Sequence, residues 1–180
     1  MPRNVEIKVH VCDLDLVKQR IIDLKKSNSA DNETVVLKQE DIFLNLPNDK
    51  AGKLKLRKIE GSPQELIYYD RTECPGPKLS SFYKCNVPEE LENVLLNALG
   101  TWGVVKKHRT LIMVGQTRVH FDCVEGLGNF VELEVVLNEN QTVEEGQTIA
   151  MNLMSHMGFT ESDLLSVSYV DMLRQKDNQS

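Results

Sequence analysis

Along most of the chain, apolar and polar residues alternate with a period of two, the mark of half-buried β-strands. Such segments run over about residues 4–11, 34–44, 52–60, 64–72, 80–86, 103–114, 117–124 and 129–138, which predicts eight strands. Most are joined by short turn-rich links such as Pro47–Gly52, Gly61–Pro63, the Gly115–Gln116 pair and Gly126–Gly128. Links of this length suit hairpins rather than helical crossovers, so the expected sheet is antiparallel.

Three segments follow the helical period instead. Residues 14–26 carry Leu14, Val17, Ile21 and Leu24; residues 88–99 open with Pro88 and three early glutamates and stop before Gly100; residues 144–157 carry Ile149, Leu153 and Met157 and stop at Gly158. Each presents one apolar stripe that must find apolar surface to cover. A short turn near Thr160 and a piece around Tyr169–Leu173 close the chain, and the polar end QKDNQS is expected to fray. With no linker, repeat or low-complexity tract, residues 1–174 read as a single domain and 175–180 as a frayed tail.

Composition narrows the function classes. At 180 residues the chain is one domain's length, and its 27 acidic against 21 Lys and Arg residues give a net charge of −6. That balance argues against a general nucleic-acid binder, which normally shows a basic excess. No apolar run approaches the roughly 20 residues of a membrane helix, and MPRNVEIKVH has no apolar signal region, so the expected address is cytoplasmic without a membrane partner. Cys12, Cys74, Cys85 and Cys123 form no C-x-x-C pair and three lie in strand-like stretches, so buried free thiols are expected.

The strands carry chemistry on one parity. The first reads Asn4, Glu6, Lys8, His10 against Val5, Ile7, Val9, Val11; later strands repeat the pattern with Lys53, Lys55 and Arg57, with Lys107 and Arg109, with Arg118, His120 and Asp122, and with Glu132 and Glu134. Such a face can simply meet water. The alternative is a closed barrel whose apolar parity faces outward beneath the helices, which forces the charged parity into the lumen. A lumen lined by both signs suits a polyanion on its Lys and Arg and a divalent metal on its carboxylates.

The stretches NVEIK, GKLKLR, ELIYYDR, GPKLS, VVKKHRT and TRVHFDCVEGLGNFVELEVVL, followed by SYVDML, resemble the CYTH superfamily of triphosphate tunnel metalloenzymes, in its class IV adenylyl cyclase-like and thiamine triphosphatase-like branch. The resemblance covers roughly residues 3–173. It implies an α+β, mainly β fold: an eight-stranded antiparallel closed barrel with amphipathic helices outside. The implied cofactor is Mg²⁺ or Mn²⁺ and the implied ligand a triphosphate-containing small molecule. The family's E-x-E-x-K falls on Asn4, Glu6 and Lys8, so its first carboxylate is replaced by an amide. By resemblance, Glu6, Asp122, Glu132 and Glu134 would hold metal, and Lys8, Lys53, Lys55, Arg57, Lys107, Arg109 and Arg118 would hold phosphate, with Glu6, Lys8, Glu132 and Glu134 at the catalytic centre. The implied activity is metal-dependent hydrolysis of inorganic triphosphate or of an organic one such as thiamine triphosphate or a nucleotide. The alternatives are cyclisation of ATP to cyclic AMP with loss of pyrophosphate, and non-catalytic binding of polyphosphate or nucleotide, by a monomer or homodimer.

Other features are weaker. Tyr69 and Arg71 share a parity with Ile67 that can take them to the lumen, and Lys78 and Ser80 match the family's G-P-K-x-S, which leaves open a mobile segment at the tunnel mouth or an ordinary surface loop. Cations, carboxylates and metal suffice for phosphoryl transfer, and no Walker A, H-E-x-x-H or G-x-S-x-G motif suggests another hydrolase.

Overall fold

The structure, a computed structural model, describes residues 3–27, 34–48, 51–71 and 78–179. Eight strands form one antiparallel sheet: β1 (Arg3–His10), β2 (Thr34–Leu44), β3 (Lys53–Ile59), β4 (Gln64–Arg71), β5 (Lys78–Val87), β6 (Thr101–Val114), β7 (Thr117–Val124) and β8 (Gly128–Val136). Their spatial order is β1-β5-β4-β3-β2-β6-β7-β8, and β8 returns to β1.

The sheet is curled, but its two seams at β1 are unequal. β1 pairs with β8 over seven residues, Asn4↔Val136 to His10↔Phe130, and with β5 over only four, Arg3↔Ser81 to Glu6↔Lys78. The expected uniformly closed tunnel is corrected to a curl laced by strands at one end of this seam. Past Glu6 a C-terminal segment takes over: the Leu165 amide donates to the Lys8 carbonyl (2.8 Å) and Val9 forms an isolated bridge with Leu164.

Four helices follow the sheet's needs. α1 (Leu14–Ser27) and α3 (Val143–Met157) lie on the apolar outer parity of β1, β7 and β8, where Val5, Val9, Val119, Val131 and Val135 meet Ile21, Ala150, Met154 and Met157 in one buried cluster. Gly146 lets α3 come this close, because a Cβ there would stand 2.5 Å from Leu137 and 2.9 Å from Val5. α3 opens on a capping box, with Thr142 Oγ1 accepting from the Glu145 amide and the Glu145 carboxylate from the Thr142 amide.

α2 (Leu91–Leu99) begins three residues later than the sequence suggested and buries no residue fully. α4 (Tyr169–Asp177) continues through Gln175–Asp177, part of the expected frayed tail. It packs on β6 at Gly103, where a Cβ would stand 2.5 Å from Val170. Among the described residues, no helix is long and apolar enough to cross a membrane.

The thiols correct one expectation: Cys12, Cys85 and Cys123 are exposed, because the helices cover β1, β7 and β8 only in part and leave the outside of β5 open. Cys74 lies outside the described residues, as do the side chains of Arg71, Lys78 and Ser80.

Candidate functional site

The charged parity encloses a cavity of about 340 Å³. It is lined by Glu6 and Lys8 from β1, Lys55 and Arg57 from β3, Lys107 and Arg109 from β6, Arg118 from β7 and Glu132 and Glu134 from β8. Two expected site residues lie elsewhere. Lys53 Nζ reaches out to Ser168 and Asp171 at the start of α4, and Asp122 sits fully buried behind the lining. The sequence reading also passed over Asp41, Tyr169, Asn4's contacts and Lys84, all of which reach the lining.

Two aspartates organise the cations. Asp41 on β2 is the cross-strand partner of Arg57 on β3. Its carboxylate accepts from Arg57 Nε (2.8 Å), Arg57 Nη2 (2.9 Å), Lys55 Nζ (2.8 Å) and Gln39 Nε2 (3.1 Å). Asp122 on β7 is likewise the cross-strand partner of Arg109 on β6. It accepts from Arg109 Nε and Nη2 (both 2.6 Å), Lys107 Nζ (3.3 Å) and the Tyr169 hydroxyl (2.9 Å). The repeated element is Lys-x-Arg on one strand and Asp on the next. The strand period places the two cations on one face, and the antiparallel register sets the carboxylate beside the second.

These contacts fix protonation. Burial alone would raise the Asp41 carboxyl, but the charges of Arg57 and Lys55 outweigh it and hold Asp41 well below the usual carboxylate range. Asp122 is lowered in the same balance by Arg109 and Lys107. The lysines move the other way: burial, then the adjoining Arg57, brings Lys55 down to about 7, and burial with Arg109 brings Lys107 down to about 8. Cations crowd this wall beyond what its two aspartates balance.

The facing wall, β1 and β8, is acidic. Glu6 is the cross-strand partner of Glu134, and Lys8 that of Glu132. Glu132 contacts Lys8 (3.5 Å) and Arg109 (3.3 Å), and Glu134 contacts Arg118 and His120 (both 3.3 Å). Burial raises Glu132, yet Lys8, Arg109 and Lys107 together hold it well below the carboxylate range. His120 is lowered by burial and by Arg109. Glu134, raised by burial but more strongly lowered by its hydrogen bond and charge interaction with His120 and by Arg118, stands at about 2.

Directly opposed carboxylates repel, and Asn4 addresses this repulsion. Its Nδ2 donates to Glu6 Oε1 (3.4 Å) and to Glu134 Oε1, while its Oδ1 is buried without a partner. An amide thus stands between the two carboxylates. Among the described residues, no three His, Cys, Asp or Glu side chains form a group spaced to hold a metal ion. The donor chemistry nonetheless suits a hard cation, since Glu6, Glu132, Glu134 and the orphaned Asn4 Oδ1 offer only oxygen.

Aromatic and apolar side chains gather at one end of the cavity. The Tyr169 ring lies beneath the Lys8 ammonium (4.0 Å to its centroid) and the Lys107 ammonium (5.0 Å), while Phe43, Val105 and Val170 pack around it. Tyr69, left open between lumen and surface by the sequence, lines the cavity and faces Lys55.

The chain matches the family model described as CYTH domain over residues 2–169. No curated protein matches its sequence significantly. Solved structures share the fold. The PH1012 protein of Pyrococcus horikoshii OT3 is 23% identical, with a TM-score of 0.77, covering 93% of this chain and 98% of that one. An adenylate cyclase candidate from Vibrio parahaemolyticus is 20% identical (TM-score 0.73, 95% and 97% covered). HpAC1 of Hippeastrum, an adenylyl cyclase candidate described as having a dominant triphosphatase activity, is 12% identical (TM-score 0.66, 98% and 96% covered).

Proposed function

The chain belongs to the CYTH domain family, and on that premise we propose that it is a metal-dependent triphosphatase that holds a triphosphate in the cavity and transfers its terminal phosphoryl group to water. The observation that carries this reading is the pair of clamped Lys-x-Arg elements converging on one cavity opposite an acidic wall. A triphosphate carries about four negative charges near neutrality, so a water-poor cavity must supply several fixed cations to take it up. Lys55, Arg57, Lys107 and Arg109 do this from one side, with Lys8 and Arg118 from the other.

Glu6, Glu132 and Glu134, with the Asn4 carbonyl, would hold the divalent metal. When bound, Mg²⁺ or Mn²⁺ supplies charge stabilisation at the phosphoryl oxygens. The residues of this chain do the rest. Asp41 and Asp122 hold the guanidinium planes in place before the ligand arrives, so little ordering is left for the moment of reaction. Lys55, near 7, and Lys107, near 8, in the free protein are each pushed toward the charged form by a polyanion beside them. His120, buried against Glu134, orients that carboxylate.

Cyclisation of ATP, the second reading, is kept by fold kinship with the cyclase candidates. Product analysis decides between them. With tripolyphosphate, thiamine triphosphate and ATP, each with Mg²⁺ or Mn²⁺, the expected product is orthophosphate. Cyclic AMP with pyrophosphate would establish the cyclase, and tight binding without turnover would reduce the protein to a carrier or sensor.

A further inference from the structure

Every carboxylate oxygen of the two β8 glutamates is engaged within the protein. Glu132 meets Lys8 through Oε2 and Arg109 through Oε1, while Glu134 meets Arg118 and His120 through Oε2 and accepts from Asn4 Nδ2 at Oε1. A divalent cation drawn to these oxygens meets a positively polarised hydrogen at each, and the partner it displaces most easily is the least charged. Lys8, Arg109 and Arg118 are cationic partners, whose contacts are roughly twice as strong as neutral ones. His120 shares its oxygen with Arg118, so its departure would leave that oxygen covered. Asn4 alone holds Glu134 Oε1 with a neutral donor.

The Asn4 amide also has two faces. Its Nδ2 bridges Glu134 Oε1 and Glu6 Oε1, whereas its Oδ1 is buried without a partner in a residue that is 2% exposed and lines the cavity. The nitrogen and oxygen of an amide are nearly the same size, so a half-turn about the Cβ–Cγ bond exchanges them within one space. In the first setting hydrogen bonds tie the two opposed carboxylates together. In the second the same carboxylates face a carbonyl oxygen, a hard donor of the kind that Mg²⁺ and Mn²⁺ take. An aspartate could make only the second arrangement, and an alanine neither.

We infer that Asn4 is an amide rotor that sets the metal affinity of the acidic wall: its nitrogen holds Glu6 and Glu134 together in metal-free protein, and its oxygen turns to the cation when one binds. This rests on the metal-dependent reading of the cavity and adds how the wall passes between its two states. Each half-turn exchanges two hydrogen bonds for one oxygen ligand. The amide therefore keeps the affinity below that of an all-carboxylate wall while sparing the metal-free protein the repulsion such a wall would suffer.

The test reads metal binding rather than turnover. Mg²⁺ is titrated into the protein without triphosphate, with calorimetry following binding and proton–nitrogen correlation spectra following the Asn4 side-chain amide. Saturation is expected to shift both amide protons and to speed their exchange with water about tenfold, because their bonds to Glu6 and Glu134 are lost. Asn4→Asp keeps the shape, removes the donor and supplies a charged oxygen, so it should bind Mg²⁺ about tenfold tighter than the parent. It should melt about 3–6 °C below the parent in a chelator and level with it or above it in saturating Mg²⁺. Asn4→Ala should melt lower in the chelator as well, but without any gain in affinity. An Asn4 amide that saturating Mg²⁺ leaves unmoved overturns the rotor in the parent chain itself, whether or not a variant folds; so does a cooperatively melting Asn4→Asp that binds Mg²⁺ no tighter than the parent. Glu134→Gln separates the two levels. If it weakens Mg²⁺ binding at least about tenfold while the parent's amide stays put, only the rotor falls; if it leaves binding unchanged, or if the parent binds no Mg²⁺, the acidic wall is not the metal site and both readings fall.

Discussion

The two Lys-x-Arg clamps share a design and differ in depth. Asp41 with Lys55 and Arg57 stands at the lining itself: Arg57 keeps 21% of its side chain exposed, and its hydrogen bonds to Asp41 run within the cationic wall. Asp122 is sunk behind the lining, and its partners Lys107 and Arg109 reach the cavity from deeper in the wall. Arg109 is 7% exposed, reaches across to Glu132, and shares Asp122 with the Tyr169 hydroxyl of α4. Both clamps therefore present cations to a ligand, and the deeper one also joins the cationic wall, the acidic wall and the C-terminal helix. The same local motif serves capture alone in one place and capture with assembly in the other, and its neighbours decide which.

Removing one charge from each clamp tests that division most severely. Asp122→Asn leaves Lys107 and Arg109 buried beside a neutral amide and weakens the tie to Tyr169; breaking a buried ion pair in this way costs about 3–5 kcal/mol. Asp41→Asn should cost less, about 2 kcal/mol, because water reaches Arg57 and screens what is lost. Urea midpoints measure both. Equal losses would mean that the deeper clamp carries no extra structural weight.

Next in size is Arg57→Ala. Loss of one charge-assisted contact to a polyanion costs about 1.5–3 kcal/mol, roughly ten- to hundredfold in the Kd of tripolyphosphate. Its urea midpoint should move far less than that of Asp122→Asn. A variant that loses stability but keeps its affinity would reverse the roles assigned to the two clamps.

The pH dependence of capture is gentler and its sign is fixed. Lys55 near 7 and Lys107 near 8 are lowered in the free protein, first by burial and then by the neighbouring arginines, and a bound polyanion raises both. Binding therefore takes up protons, affinity is fullest below pH 7, and it falls as pH rises through 7 to 9. The fall is about tenfold for each pH unit by which the ligand raises a lysine. Calorimetry in buffers of different ionisation enthalpy reads the proton uptake directly, and an affinity that is flat across this window would refute it.

Much of this was legible in the sequence because a strand's parity survives any tertiary context. The alternation at Asn4–His10, Lys53–Arg57 and Glu132–Glu134 already separated two faces, and the three helices' stripes said which face went outside. Cross-strand register was not legible. Nothing local to β2 marks Asp41 as the partner of Arg57, although Gln39 and Asp41 do break an otherwise apolar strand on one parity. Asp122 reads as a metal ligand when it is seen only as a carboxylate on the charged parity; the register with Arg109 places it where cations occupy both oxygens. Lys53 shares its parity with Lys55 and Arg57, yet it lies at the end of β3 where α4 begins, and Asp171 takes it. The short β1–β5 seam was hidden for a similar reason, since it depends on Leu164 and Leu165 returning from the far end of the chain.

The finest comparison concerns the neutral donor on each clamp. Tyr169 Oη gives Asp122 a hydrogen bond of 2.9 Å and Gln39 Nε2 gives Asp41 one of 3.1 Å, each beside an arginine that donates twice. Tyr169→Phe removes only the hydroxyl and keeps the ring beneath Lys8 and Lys107, so it should cost about 1.5 kcal/mol, the low end for a bond to a charged group, because three cationic donors remain. Gln39→Leu should cost less, about 0.5–1 kcal/mol, since Lys55 and Arg57 already satisfy both Asp41 oxygens. The affinities should diverge. Tyr169 lines the cavity with its ring while its hydroxyl turns to Asp122, so loss of the hydroxyl leaves the tripolyphosphate Kd within twofold, whereas Gln39 lines the cavity beside Asp41 and its replacement weakens that Kd more. If Tyr169→Phe weakens tripolyphosphate as much as Arg57→Ala does, the deep clamp also governs how the ligand-facing cations are set, and the division of labour drawn between the two aspartates gives way to a single coupled network.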